Sequence, residues 1–320
     1  MRTRSGWLIA LSLVMGSAMA QPYPNKPIKF VVGYPPGGSG DFVTRTVGEA
    51  IAAELGQSAV IDNRPGAAGN LASELVNKSP ADGYTLLVAP TANFAVNQHL
   101  FANIGFDALK DLEPIAVLSA APLIAVTSIS APNTLKDFVA QAKANPRKYN
   151  FGSPGAGSPT HLAGVSFSQL SGNSLVHIAY RGTPPLVLAM MADEVQLAFP
   201  TLTPVATQLR AGKLKAIAVM GKERITELPN VPTAAEAGFP DMLFGNWWVL
   251  AAPAGTDPKI VAKLSAEVRA ALAEPAAKAK LAEAGHVAMN MNSAEIAVFL
   301  RSESTRYKTL IERNGIKLEQ

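Results

Sequence analysis

The most constraining feature of the sequence is a pair of glycine-rich loops about 120 residues apart. The first loop (residues 33–41) reads GYPPGGSGD and the second loop (residues 152–161) reads GSPGAGSPTH. Each follows a short β-branched or aromatic run and precedes a segment with helical apolar periodicity. Such a strand–loop–helix joint points free backbone N–H groups and the positive end of a helix dipole at one spot. Two joints facing each other would hold an anion without lysine or arginine.

The N-terminus has the features of a secretory signal peptide. Arg2 and Arg4 form a basic start, residues 7–15 are mainly apolar, and Ala18-Met19-Ala20 is a small-x-small cleavage site. We expect cleavage near Ala20, before Gln21. Because the apolar run is too short to span a bilayer, the sequence predicts a soluble protein exported to the periplasm.

Composition excludes several classes of function. The 320 residues contain no cysteine, which removes thiol nucleophiles and zinc–thiolate sites. There are 28 basic and 24 acidic residues, a net charge of +4 that falls to +2 without Arg2 and Arg4. These charges are scattered, which argues against nucleic-acid binding. The four histidines show no metal-ligand spacing, so we expect neither a metal nor a cofactor.

The chain reads as an α/β protein with two lobes, each a mostly parallel sheet flanked by helices. Strand-like and helical segments alternate over residues 28–88 and again over 123–219, which is typical of parallel sheets. Lobe 1 is predicted to comprise residues 21–120 and 247–320, and lobe 2 residues 121–246. The tail is predicted to be helical, with Ser293 capping the last helix. Ligands of open α/β sheets bind beyond the strand carboxyl ends, so the cleft is expected between the lobes.

Seven motifs together carry a family resemblance. In chain order they are YPPGGSGD (34–41), NRPGAAGN (63–70), ADGYTL (81–86), GAGSPTHL (155–162), HIAYRG (177–182), LPNVPT (228–233) and AAPAGT (251–256). With them the chain resembles the Bug (Bordetella uptake gene) family, the extracytoplasmic solute receptors of tripartite tricarboxylate transporters. Ser39, in Ser39-Gly40-Asp41 where Gly-Thr-Asp is commoner, and Pro200, where many relatives carry an acidic or amide residue, depart from the family pattern.

The resemblance implies a type II periplasmic binding protein fold and a monomeric receptor without a cofactor. It also implies that a small carboxylate, such as a C4-dicarboxylate, a tricarboxylate or a related organic acid, is held between the two loops. Backbone amides, hydroxyls and ordered water would make the contacts, and membrane permease subunits would receive the solute.

We predict that the substrate contacts come from the two glycine-rich loops and from strand ends beside them. The candidates are Tyr34, Gly37, Gly38, Ser39, Asp41, Thr91, Asn93, Ser153, Gly155, Ala156, Gly157, Ser158, His161, Tyr180 and Thr201.

Several of these positions have two interpretations. Asp41 either caps a helix, which is favoured, or meets the ammonium group of an amino-acid solute. His161 either donates to a bound carboxylate or fixes its loop. Arg181 is expected to be exposed or to brace a loop. Trp247 and Trp248 are expected to pack between the lobes, with stacking on the ligand as the alternative.

Three functions therefore remain at the sequence level. The first is a receptor that delivers a carboxylate to a permease. The second is a sensing module whose closed form binds a membrane sensor kinase, and the sequence does not separate it from the first. The third, an exported enzyme, is disfavoured because there is no Gly-x-Ser-x-Gly elbow, metal cluster or evident histidine–carboxylate pair.

Overall fold

The computed structural model describes residues 23–101 and 104–317, so the predicted signal peptide and its cleavage site lie outside the described residues. Within this part the chain forms two α/β lobes, each built on its own sheet. The strands are β1 (Ile28–Val32), β2 (Ala59–Asn63), β3 (Thr85–Pro90), β4 (Leu112–Pro122), β5 (Ile124–Ser128), β6 (Asn150–Ser153), β7 (Val176–Ala179), β8 (Leu197–Ala198), β9 (Leu214–Val219), β10 (Gly245–Pro253) and β11 (Val287–Ala288).

The helices follow the strands along the chain and flank both sheets. They are α1 (Ser39–Val43), α2 (Glu49–Glu54), α3 (Asn70–Asn77), α4 (Asn97–Leu100), α5 (Leu135–Ala144), α6 (Pro159–Leu170), α7 (Thr183–Met191), α8 (Ala206–Arg210), α9 (Pro258–Ala273), α10 (Pro275–Glu283) and α11 (Ser293–Arg313). A π-helical turn (Thr44–Gly48) joins α1 to α2, so the helix after the first loop runs from Ser39 to Glu54. No helix among the described residues is apolar over a length that could cross a membrane.

Both sheets are mixed. The first has the order β11-β4-β10-β3-β1-β2 and the second the order β7-β6-β8-β5-β9. Part of each predicted β/α block is parallel, since β1 pairs with β2 and β3, and β6 pairs with β7 and β8. The other pairs are antiparallel: β10 with β3 and β4, and β11 with β4, in the first sheet, and β5 with β8 and β9 in the second, although β5 and β9 also lie in the second predicted block. The two-lobed α/β architecture is confirmed, with the parallel pairs at one end of each mixed sheet and the antiparallel pairs at the other.

The chain passes between the lobes at two adjacent places. β4 leads through Leu123 directly into β5, and the chain returns to the first sheet at Gly245. Leu123 N–H donates to Phe244 O over 2.9 Å, and Phe244 N–H donates to Met220 O over 2.9 Å. The two crossings are therefore hydrogen-bonded side by side. The boundaries at 120/121 and 246/247 stay a prediction.

Apolar packing explains why the sheets form where they do. β1 lies between β3 and the edge strand β2, and its apolar residues are fully buried, as expected for a strand covered on both faces. One cluster packs β1 and β3 against α2 and α9. The largest cluster extends across both lobes and includes Phe94, Trp247, Phe151 and Phe199. The lobes thus share packing near the crossings.

The cap of α11 differs from the prediction. Asn292 is the N-cap rather than Ser293, because its side-chain oxygen accepts from Glu295 N–H over 3.0 Å. The Glu295 carboxylate in turn accepts from Asn292 N–H over 2.8 Å. This is a capping box, in which both partners satisfy otherwise free amides.

Candidate functional site

The first loop is closed by Asp41. Its carboxylate accepts from Gly37 N–H over 3.2 Å and from Arg45 Nε over 3.1 Å, and Arg45 Nη2 lies 3.1 Å from the other oxygen. Burial alone would raise the pKa of Asp41, but the hydrogen bonds from Arg45 and Gly37 outweigh it and lower the pKa below 3.8. Gly37 has a φ of 81°, a left-handed conformation that glycine adopts without strain. The structure therefore gives Asp41 the loop-capping role.

The second loop is held by hydroxyl groups. Ser153 and Ser158 both donate to Gly155 O, over 3.0 and 2.7 Å. Ser158 is also the N-cap of α6, since its Oγ accepts from His161 N–H over 3.2 Å, and Pro159 occupies the first helical position. These contacts leave the start of α6 directed at the space between the lobes.

Two stacked histidines support the second loop. Nδ1 of His161 accepts from Gly157 N–H over 3.2 Å, and its ring stacks on His177 with 4.1 Å between centroids. Burial, with the neighbouring His177, lowers the pKa of His161 to about 3, and burial lowers that of His177 to about 4. Both rings are neutral near pH 7. Through Nδ1 His161 helps to fix the loop, and donation from its other ring nitrogen to a bound carboxylate stays a prediction.

The first loop contacts the opposite lobe. Ser39 Oγ lies 2.5 Å from Thr201 Oγ1, so a hydroxyl of the first loop bonds to the strand end of the opposite lobe. Pro35 lies against Gly182, where an added Cβ would clash with Cγ of Pro35. The described conformation therefore has the lobes in direct contact.

An inner cavity of about 40 Å³ lies between the loops. Its walls include Gly38 and Ser39 of the first loop, Ser158 of the second, and Asn246 and Trp248 of β10. Every described residue that lines it is uncharged. The first turns of α1 and α6 both border this cavity, so the positive ends of two helix dipoles favour an anion there.

An outer cleft of about 590 Å³ adjoins the inner cavity and shares Tyr34, Pro35 and Pro154 with it. A third loop, residues 65–69, forms part of its wall together with Tyr180 and Arg181. The cleft is thus larger than the inner cavity and carries one cationic side chain.

The structure brings eight of the fifteen predicted contacts to these walls. They are Tyr34, Gly38, Ser39, Ser158 and Thr201 at the inner cavity, with Tyr34 also at the outer cleft beside Gly155, Ala156 and Tyr180. Five others support the loops from within. They are Gly37, Asp41, Ser153, Gly157 and His161.

The predicted contacts Thr91 and Asn93 are not among the described residues that line either cavity, and Oδ1 of Asn93 is buried without a hydrogen-bond partner. Thr91 is fully buried, and its hydroxyl accepts from Trp247 N–H over 2.9 Å. Asn93 is 1% exposed, donates to Asn70 Oδ1 over 3.2 Å, and lies against Gly69. They act behind the cleft wall and not on it.

Sequence reasoning missed three parts of the wall. Trp248 and Asn246 line the inner cavity, whereas Trp248 was expected to pack between the lobes, with stacking on the ligand only as the alternative. The third loop was recognised only as a family motif. The sequence did contain a signal for the position of the third loop. This loop follows β2, which is parallel to β1, and parallel strands end at the same edge of a sheet.

A comparison with models of known protein families identifies the family of this chain. The sequence model of the tripartite tricarboxylate transporter family receptor, TctC, matches residues 43–316. The chain belongs to this family. The Bug-type resemblance drawn from the seven motifs is confirmed, and the chain is a solute-binding protein of the TctC family. Within residues 23–101 and 104–317, no group of three or more histidine or acidic side chains could hold a metal ion.

Solved structures agree with this assignment. The periplasmic binding protein BugD matches with a TM-score of 0.88 at 28% identity, covering 93% of this chain and 100% of BugD. Rpa4515 of R. palustris, solved with adipate, has a TM-score of 0.90 at 29% identity, covering 92% and 99% of the two chains. MatC of Rhodopseudomonas palustris, with bound malate, has a TM-score of 0.85 at 29% identity, covering 90% and 100%.

Proposed function

We propose that this TctC-family protein captures a small organic acid between its two glycine-rich loops and presents it to the membrane subunits of a transporter. The observation that carries the proposal is the pair of helix starts that border one uncharged inner cavity from opposite lobes. The relatives solved with adipate and malate support a dicarboxylate as the solute.

Backbone groups are sufficient to hold such an anion. A hydrogen bond from an amide to a charged group contributes about 1.5–3 kcal/mol, and a helix end adds about 0.3–1 kcal/mol. Three or four such contacts amount to micromolar affinity, about −8 kcal/mol, when association costs are at the low end of their range. Gly38 and Ser39 of the first loop, Thr201, and the first turn of α6 at Thr160 are the proposed contacts at the inner cavity. Ser158 positions that turn, because its own N–H and hydroxyl both donate to Gly155 O.

The solute selects the closed arrangement of the lobes. Ser39 and Thr201, and likewise Pro35 and Gly182, are in contact only when the cleft is shut. A ligand that touches both loops therefore favours the closed state over an open one. Membrane subunits would recognise the surface of the closed conformation. This recognition would take place in the periplasm, since the similar protein BugD is a periplasmic binding protein.

A thermal-shift screen of malate, succinate, citrate, adipate and several amino acids tests the proposal. At least one organic acid is expected to raise the Tm, and chromatography is expected to recover that acid unchanged. Conversion of the acid to a product would contradict the receptor function and favour an enzyme. Pull-down of the acid-loaded protein by permease subunits, compared with the ligand-free protein, tests delivery to a transporter.

A further inference from the structure

Adjacent tryptophans in β10 face opposite sides of the first sheet, because side chains alternate along a strand. Trp248 shares a face with Asn246, and both line the inner cavity. Trp247 faces the other way, where its Nε1–H donates to Glu303 over 2.9 Å. Trp247 can therefore serve as a control for Trp248, because the two indoles lie in the same strand on opposite faces of the sheet.

The N–H of Trp248 is a buried donor that has no acceptor in the described structure. The residue is 3% exposed, and its Nε1 has no hydrogen-bond partner. Oδ1 of Asn246 is likewise buried and without a partner. Buried donors are almost always satisfied in folded proteins, so an unpartnered buried N–H on a residue that lines a cavity points to an acceptor supplied from outside.

The orientation of the Trp248 ring is fixed by its neighbours. A Cβ added at Gly40 would lie 2.6 Å from Cζ3 of Trp248, so the ring packs directly on the first turn of α1. Tyr34 meets the ring edge-on, with 6.3 Å between centroids. Trp248 therefore cannot turn its N–H away without disturbing the start of α1 and the wall at Tyr34.

We propose that Trp248 Nε1–H is a side-chain donor to the acid group of the solute, and thereby a specificity-determining residue of the cleft. It would add one fixed hydrogen bond to those of the loop amides. This inference rests on the proposed function, since it names a further contact in the same site. A carboxylate oxygen is the expected acceptor, because a charged acceptor gains most from a donor in a buried cavity.

The substitution Trp248→Phe tests the inference, because it keeps an aromatic ring and removes the N–H. The dicarboxylate that stabilises the wild type, from malate, succinate and adipate, is the probe in calorimetry. Loss of a hydrogen bond to a charged group should weaken its affinity about 10- to 100-fold. The control Trp247→Phe removes the neighbouring N–H outside the cleft and should change affinity less than about twofold, although it loses the bond to Glu303.

A second measurement does not depend on the folding of Trp248→Phe. The indole N–H resonances of the protein without its predicted signal peptide are followed by ¹H–¹⁵N NMR during titration with the same acid, and a spectrum of Trp247→Phe assigns the remaining signal to Trp248. That signal is expected to move downfield while the Trp247 signal stays in place.

The outcomes of these experiments distinguish a failure of this inference from a failure of the proposed function. If no acid binds the wild type, the proposed function fails and the inference falls with it. If the acid binds but the Trp248 signal does not move, or if a folded Trp248→Phe binds with wild-type affinity, the inference alone is overturned.

Discussion

Asp41 is the residue that most directly sets the shape of the first loop. Its carboxylate accepts hydrogen bonds from both Gly37 N–H and the Arg45 guanidinium, and the residue is 6% exposed. Because these bonds need the ionised form, the Asp41 pKa lies below its usual value. The carboxylate is therefore engaged inside its own loop and helix.

We expect Asp41→Asn to lower the free energy of unfolding by about 1–2 kcal/mol near neutral pH, a modest value because Arg45 is half exposed. The stabilisation is present above the unfolded pKa, near 4, and is lost as pH falls through the lower pKa of the folded state. Melting curves of both proteins between pH 6 and 2 should therefore converge at the acid end. Parallel curves throughout would contradict the capping role.

Ligand binding gives an independent check on Asp41. A capping residue affects amino-acid and simple dicarboxylate ligands alike, since it acts through the loop. A selective loss of amino-acid binding in Asp41→Asn would instead assign the carboxylate to a ligand ammonium group.

At the scale of elements, α6 and β7 are joined by the stacked pair of His161 and His177. Both have a lowered pKa, about 3 and about 4, because burial disfavours the charged ring. The unfolded chain takes up these protons near pH 6.5, whereas the folded chain resists them. Stability must therefore fall as pH drops from 6.5 towards 4.

His161→Asn isolates one of these protons, because Asn can still accept from Gly157 N–H while it does not titrate. In urea unfolding at pH 6.5, 5.5 and 4.5, the variant should lose stability less steeply than the wild type. The difference in slope should be on the order of 1 kcal/mol per pH unit. Equal slopes would show that His161 is readily protonated in the folded protein.

Individual helices and strands also show which parts of the fold could be predicted from the sequence. The tail was predicted to be helical and contains α9, α10 and α11, because propensity and end signals are local. β4 was not predicted as a strand, since its pairing with β10 depends on residues more than a hundred positions away. The position of Trp248 was missed for the same reason. The face that it takes depends on the register of β10 between β3 and β4.

At the scale of the whole molecule, closure depends on how closely the lobes approach. Gly182 packs on the ring of Pro35, and an added Cβ would overlap it. Gly182 also has a φ of 102°, so any side chain brings backbone strain as well as a steric block. A control must separate these two effects.

Gly182→Ala should weaken binding of the acid by about tenfold or more, because the clash destabilises only the closed state. Gly238→Ala is the matched control, since Gly238 has a φ of 92° with no atom within 4 Å of an added Cβ. Both variants should lose similar stability, and only Gly182→Ala should lose affinity in calorimetry. Equal affinities would mean that the Pro35–Gly182 contact is not needed for binding.

The claim on which the whole account depends is that amides from two opposing loops hold an anionic solute. Calorimetry with the acid that gives the largest thermal shift, and with its dimethyl ester at the same concentration, tests it most directly. The account predicts micromolar binding of the acid and at least a hundredfold weaker binding of the ester. Equal binding of the two, or binding of the ester alone, would contradict it.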